Sequence, residues 1–157
     1  SPDLVVVATG GTPRAPAIPG GELARSSWDA AVEPGEFGSA LIYDEEGGHS
    51  AMSLAQHLAA QGREVSIATK DRVLGHSLGG SSYPVYLGAL AEAGTKIITD
   101  HRLTAIERQG NSLVATLSHE FSRATRKIIA DRVYTELGTE PANELFHDLK
   151  VHSETAA

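Results

Sequence analysis

A chain of 157 residues, 41% hydrophobic and 21% charged, has the makeup of one folded domain with its own core rather than of a disordered segment. Its 13 Lys and Arg against 20 Asp and Glu leave a formal net charge of −7, which disfavours nucleic acid or an anionic membrane surface as a partner. With no cysteine, the chain has no disulfide, thiolate-held zinc, iron–sulfur ligand or cysteine nucleophile of its own. No apolar run approaches the roughly 20 residues of a membrane span, and the first residues do not read as a signal peptide.

Short β-branched apolar runs alternate with helical periods, the pattern of an α/β domain. Leu4 to Ala8 is predicted as a strand buried on both faces. It runs through Thr9, Gly10 and Gly11 into an extended connector marked by Pro13, Pro16, Pro19 and Pro34. Within the connector, Ser26, Ser27 or Asp29 is placed to cap a short helical turn around Trp28. Ala40–Tyr43 reads as the next buried strand. Ala51, Leu54, Ala55 and Leu58 keep helical spacing, and Gly62 ends that helix. Val65–Ala68 completes a crossover between parallel strands.

A polar, glycine-rich loop follows over 71–82. A helix over 85–93 has Pro84 near its first turn and Gly94 after its end, and 96–98 is a short strand. The period then changes: 103–108, 112–118 and 126–129 form an antiparallel meander, with Gly110-Asn111 at a hairpin. Residues 133–137 make a last buried strand ending at Gly138. A short helix covers 142–149, and the tail from Val151 is expected to fray. Two segments end alike, a strand running into glycine at Ala8-Thr9-Gly10 and at Glu136-Leu137-Gly138.

The turn after the second strand, Tyr43-Asp44-Glu45-Glu46-Gly47-Gly48-His49-Ser50-Ala51, stands where a dinucleotide fingerprint brings backbone up to pyrophosphate at a helix N-terminus. In the best register Glu46, Gly48 and Ala51 take the three small positions, and the first of them is a glutamate. Gly10, Gly11, Gly47, Gly48, His49, Ser50 and Ala51 are the candidate cofactor contacts. Asp44, Glu45 and Glu46 crowd the place where a diphosphate would arrive, and each acid favours the positive helix end by about 0.3–1 kcal/mol. The preferred reading is that these acids cap the helix and nothing binds. At the next strand end, where an acid would hold a ribose, stands Thr69. Lys70 and Arg72 beside it suit a 2′-phosphate, hence NADP over NAD, or form an ordinary solvated charge run. The seven histidines are scattered, with no His-x-His pair or metal-ligand spacing, and no serine sits in a Gly-x-Ser-x-Gly elbow. Neither a catalytic constellation nor a metal site is expected. Of the histidines, only His49 lies on a loop where chemistry is expected.

Residues 3–20 resemble the segment that closes the first nucleotide-binding domain of flavin-dependent pyridine-nucleotide reductases and leads into the second. The meander before a last strand is similar to that second domain in the glutathione-reductase-like group. Residues 41–55 and 82–87, Ser-Tyr-Pro-Val-Tyr-Leu, resemble the C-terminal region of the trimethylamine dehydrogenase and 2,4-dienoyl-CoA reductase family, in its branch of methylated-amine or N-methyl-amino-acid demethylases. The resemblance implies a Rossmann-like three-layer α/β fold, with a parallel sheet plus an antiparallel meander. It implies a piece of a longer cytoplasmic polypeptide whose old-yellow-enzyme-like barrel carries FMN beside a [4Fe-4S] centre, followed by a domain holding ADP or FAD. Residues 1–36 would be the closing strand of that domain and the connector, 37–150 the NAD(P)-binding-like domain, and 151–157 a tail. The expected partners are the rest of the polypeptide and an electron-transfer flavoprotein, with no nucleic acid and no membrane. Within the chain itself no cofactor is expected, because Glu46 and Thr69 depart from the binding pattern. The alternatives are a working NADPH domain that delivers hydride to a flavin, using Lys70 and Arg72, and an S-adenosylmethionine-dependent methyltransferase.

Overall fold

The computed structural model describes residues 4–30 and 35–152. In chain order the elements are β1 (Gly11–Pro13), β2 (Arg25–Ser26), α1 (Ser27–Ala30), β3 (Ser39–Asp44), α2 (His49–Ala60), β4 (Glu64–Thr69) and α3 (Tyr83–Glu92). They continue as β5 (Lys96–Ile98), β6 (His101–Gln109), β7 (Ser112–His119), β8 (Thr125–Ala130), β9 (Arg132–Glu136), β10 (Thr139–Pro141) and α4 (Glu144–Lys150). Among the described residues β2, β9, β3, β4 and β5 lie side by side in that order as one parallel sheet. β6, β7 and β8 form the antiparallel meander.

The layering follows from the two-residue period of a strand. On β3, Ala40 and Ile42 join a core with α2 through Ala51, Met52, Ala55 and Leu58, while Leu41 and Tyr43 join a core with the meander. β9 divides the same way, Tyr134 towards the helices and Val133 towards the meander. A central strand covered on both faces must be apolar at every interior position, which is why 40–43 and 65–68 read as near-continuous hydrophobic runs. The meander contributes Leu103, Ile106, Leu113, Ala115 and Leu117, so the fold has three layers: helices, parallel sheet and antiparallel meander. Its first hairpin turns at Gly110, whose φ of 62° suits a glycine, as the Gly110-Asn111 pair indicated.

Two predicted features need correction or completion. Leu4–Ala8 is not a buried strand: it has no strand pairing among the described residues, and Leu4, Val5 and Val6 are 80%, 53% and 79% exposed. An apolar run becomes a sheet strand only where a neighbouring strand takes its N–H and C=O groups. The two strand-then-glycine endings meet instead: β1 pairs antiparallel with β10, Gly10 O accepts from Ala142 N, and Arg14 N donates to Gly138 O. The connector is also tied down. Pro19 O accepts from Ile106 N at 2.9 Å, and Gly20, at φ 74°, lies so near β6 that a Cβ would fall 1.7 Å from the Ile106 carbonyl oxygen. The short turn at Trp28 is capped by Ser26 and Asp29: Asp29 N donates to Ser26 Oγ, and Ser26 N to Asp29 Oδ2. Of the tail expected to fray from Val151, Val151 and His152 form a turn in which His152 N donates to Leu149 O at 3.0 Å, and the rest lies outside the described residues, as does Pro34.

Leu117 is fully buried where the meander meets the parallel sheet. Leu117→Ala is expected to lower stability by about 2–5 kcal/mol in a urea melt, and a loss under about 1 kcal/mol would show that this interface carries little of the fold's stability.

Candidate functional site

The alternation that sorts the core also sorts the charges at the carboxyl edge of the parallel sheet. Asp44, Thr69 and Glu136 end β3, β4 and β9 in register with one another, on the face that carries Ile42, Ile67 and Tyr134 against the helices. Asp44 is completely buried and Glu136 nearly so. Asp44 Oδ1 accepts the N–H groups of Glu46 (3.1 Å) and Gly47 (3.0 Å), an Asx turn that bends the chain out of the strand. Its Oδ2 is buried with no hydrogen-bond partner among the described residues. Burial pushes the Asp44 carboxyl up to about 6, the Gly47 and Glu46 amides pull against it, and Glu136 adds to it. Glu136 accepts from Ser27 Oγ and from Gly138 N at 3.3 Å, which anchors α1 to the sheet edge.

The residues one step on, Glu45 and Lys70, lie on the opposite side, towards the meander. Glu45 takes Lys70 Nζ at 2.9 Å and the Tyr43 hydroxyl at 2.7 Å, with Arg102 of β6 at 3.7 Å. Burial would raise the Glu45 carboxyl, but the hydrogen bonds from Lys70 and Tyr43 and the two cations win and hold it below its usual range. Arg102 in turn meets Glu120 at 2.9 Å. The chain Lys70–Glu45–Arg102–Glu120 thus straps the meander to the sheet edge.

The loop after β4 folds back onto the glycine turn. Gly47 has φ 67°, a backbone that favours glycine, and a Cβ there would sit 2.2 Å from His76 Nδ1, so the imidazole would have to shift. Ser77 N donates to Gly47 O at 3.0 Å and Ser77 Oγ to Glu46 O at 3.1 Å. His76 Nδ1 also lies 3.4 Å from Asp71 Oδ2.

The structure brings Gly47, Gly48, His49, Ser50 and Ala51 together at the start of α2, with Ala51 fully buried against the sheet. Gly48 is the N-cap, and no side chain caps α2 among the described residues. The expectation that the acids cap this helix is therefore corrected: Asp44 serves the turn before it and Glu45 serves Lys70. Such a fully buried strand end makes the turn amides the nearest donors for Asp44. His49 Nδ1 lies 3.2 Å from the Tyr86 hydroxyl on α3. Ser50 shares a groove of about 490 Å³ with Trp28, Ser53 and His57. Lys70 is committed to Glu45, and exposed Arg72 stands 6.0 Å from the Phe121 ring centre. Gly10 and Gly11 lie apart from this turn, in the β1–β10 crossing, where a Cβ on Gly11 would fall 2.6 Å from the Glu140 carbonyl oxygen. Among the described residues no group of three or more His, Asp or Glu side chains could hold a metal, and no helix is long and apolar enough to cross a membrane.

His76, Asp71 and Glu136 were not singled out as site residues from the sequence, and Ser27 was read there only as a cap of the turn around Trp28. A glutamate inside the apolar run Val133–Leu137 and a histidine between Gly75 and Gly79 were the available signals.

A parallel sheet with a meander on one face and a glycine turn opening a helix on the other defines an FAD/NAD-binding oxidoreductase fold of the glutathione-reductase-like type. Residues 2–156 match the family described as pyridine nucleotide-disulphide oxidoreductase, and the chain belongs to that family. It is 34% identical over 155 residues to a probable N-methylproline demethylase of Rhizobium meliloti, covering 98% of this chain and 23% of that protein. It is 35% identical over 163 residues to an N,N-dimethylglycine/sarcosine dehydrogenase of Chromohalobacter salexigens, covering 97% and 23%. The chain thus spans about a quarter of the length of these relatives. Among solved structures, 6-hydroxypseudooxynicotine amine oxidase from Pseudomonas geniculata N1 superposes with a TM-score of 0.85 at 24% identity, over 97% of this chain and 24% of that one. Histamine dehydrogenase from Rhizobium sp. 4-9 gives 0.74 at 17% identity, over 92% and 24%. The family assignment places the chain with oxidoreductases and not with methyltransferases.

A carboxyl raised from 3.8 to about 6 by folding binds its proton more tightly in the native state. Stability from this group is therefore present below about pH 4 and lost as pH rises through 6, by about 2–3 kcal/mol. Asp44→Asn keeps the acceptor and removes the titration. In urea melts at pH 4.5 and 7.5 the variant should gain on the parent with rising pH, and a pH-independent difference between them would refute the assignment.

Proposed function

We propose that this chain is a structural, non-catalytic NAD(P)-binding-like domain of a larger flavin- and iron–sulfur-dependent oxidoreductase that demethylates amines or N-methyl amino acids. The observation that carries the reading is the state of the glycine turn. A bound dinucleotide needs free amides at the turn and open space over the glycine, and NADP needs in addition a cation for its 2′-phosphate. Here Asp44 holds the amides of Glu46 and Gly47, His76 fills the space over Gly47, and Glu45 holds Lys70. The residues present do not fit the dinucleotide. FMN and a [4Fe-4S] centre would reside in other parts of the polypeptide, because this chain has no cysteine to ligate a cluster.

The demethylase and dehydrogenase names of the relatives support the reaction class, and the quarter-length coverage supports a multidomain parent. In this reading Leu4, Val5 and Val6 add the closing strand to a preceding ADP- or FAD-binding domain, which would cover their exposed side chains. The domain packs against that neighbour and the barrel, and contributes surface to an electron-transfer flavoprotein.

Calorimetric titration of the protein with NADH and NADPH is expected to show no saturable binding up to about 1 mM. Micromolar affinity that survives exchange of the buffer ions overturns the non-binding reading. The encoded sequence upstream of Ser1 should contain a barrel followed by closely spaced cysteines, and a different upstream domain overturns the parentage.

A further inference from the structure

We propose that the free edge of β8 takes up an extended acidic segment of a partner protein as a fourth strand of the meander. This surface acts whether or not the glycine turn binds a nucleotide. Charge is divided unevenly along the chain. Of its 13 Lys and Arg and 20 Asp and Glu, residues 101–130 hold five and two, which leaves eight against eighteen elsewhere. The basic excess is accessible. Arg123 on the turn after β7 and Arg126 and Lys127 on β8 are exposed, and none makes an ion pair among the described residues. Arg72 reaches the same end of the meander, 6.0 Å from the Phe121 ring centre. An acidic protein with one basic patch draws a negatively charged partner there and repels it elsewhere.

The backbone decides how such a partner is held. β8 pairs only with β7 among the described residues, so along its other side the N–H and C=O groups meet no strand. Thr125, Arg126, Lys127 and Ile129 are exposed on this strand, Ile129 to 64%. Neighbouring strand residues point to opposite faces, so Arg126 and Lys127 flank the edge from both sides. An added extended segment would set alternate acids against one cation and then the other, while its main chain completes the ladder. Phe121, at the head of this edge, is 72% exposed, yet its placement is fixed. Its N–H donates to His119 Nδ1 at 3.1 Å, and the two rings stand edge to face at 6.0 Å. His119 N closes the turn on Ala124 O at 2.9 Å. An exposed aromatic held ready beside arginines has the makeup of a binding anchor. Charged edge strands also guard against self-pairing, which accounts for Arg126 and Lys127 but not for Phe121. A second copy is disfavoured as the occupant, since a twofold contact along β8 would set cation against cation.

A fluorescein-labelled peptide, Glu-Glu-Val-Glu-Leu-Glu-Glu, is the probe, read by anisotropy, with its Lys-for-Glu counterpart as control. The protein should bind the acidic peptide and not the basic one, and added salt should weaken that binding. Arg126→Glu together with Lys127→Glu should weaken it at least about tenfold. Phe121→Ser should weaken it while leaving the salt dependence unchanged. Near-UV circular dichroism checks that each variant is folded. In hydrogen exchange the peptide should add protection at amides within 125–129. No saturable binding up to about 1 mM, undiminished binding by the folded double variant, or protection confined to other elements overturns the proposal. So does tighter binding of a DNA duplex or of phosphatidylserine vesicles, which would make this edge a polyanion or membrane surface. Self-association in sedimentation that the same charge reversals abolish overturns it in favour of a second copy. An unaltered affinity in Phe121→Ser overturns the role of that ring as anchor.

Discussion

A buried carboxylate at the end of a parallel strand governs this molecule's carboxyl edge. Where β3 leaves the sheet, the next amides need acceptors, and Asp44 provides one without involving any other element. The arrangement places negative charge inside the protein beside a second buried acid, Glu136. Charge of that kind is tolerable only where hydrogen bonds and nearby cations offset the lost solvation. The turn amides, the neighbouring His76 and the uncapped start of α2 all supply positive potential on that face. The geometry of the turn follows from it.

The opposite face solves the same problem through a strap of ion pairs. Glu45 collects Lys70, Tyr43 and Arg102, and Arg102 reaches Glu120 on the turn beyond β7. These charges are half-buried, so the network matters less for raw stability than for holding the meander in register with the sheet edge. One residue of displacement along β3 would exchange the two sets of contacts, because neighbouring side chains point to opposite faces. The acidic triplet is therefore three different devices: Asp44 supports a turn, Glu45 forms a strap, and Glu46 stands exposed with its carbonyl held by Ser77.

Most of the architecture was legible from local pattern. Continuous apolar runs at 40–43 and 65–68 announced strands covered on both faces, and alternation at 103–108 and 112–118 announced the meander. Helical spacing at 51, 54, 55 and 58 gave α2, and Gly62, at φ 78°, closed it. Leu4–Ala8 is unpaired among the described residues, because its composition states a demand for partners and cannot say where those partners lie. The β1–β10 crossing was hidden for the converse reason: three-residue strands more than a hundred positions apart carry no periodicity of their own.

The site was legible only in outline. The glycine turn, the departure at Glu46 and the crowding by acids could all be read along the chain, together with the membership of an oxidoreductase family that residues 3–20 and 41–55 suggested. Which acid meets which donor was not readable, because consecutive residues on a strand face different layers and those layers are built from distant segments. Lys70 looks like a free cation in one dimension and is paired in three, since β3 and β4 run parallel in register and end together. His76 looks like one scattered histidine among seven and is the ring that covers Gly47, because a loop's path depends on what it can pack against. Period and composition set the layers and the family, since both are local properties of the chain. The contacts at the glycine turn were set by packing, since they depend on side chains brought together from β3, from β9 and from the loop after β4.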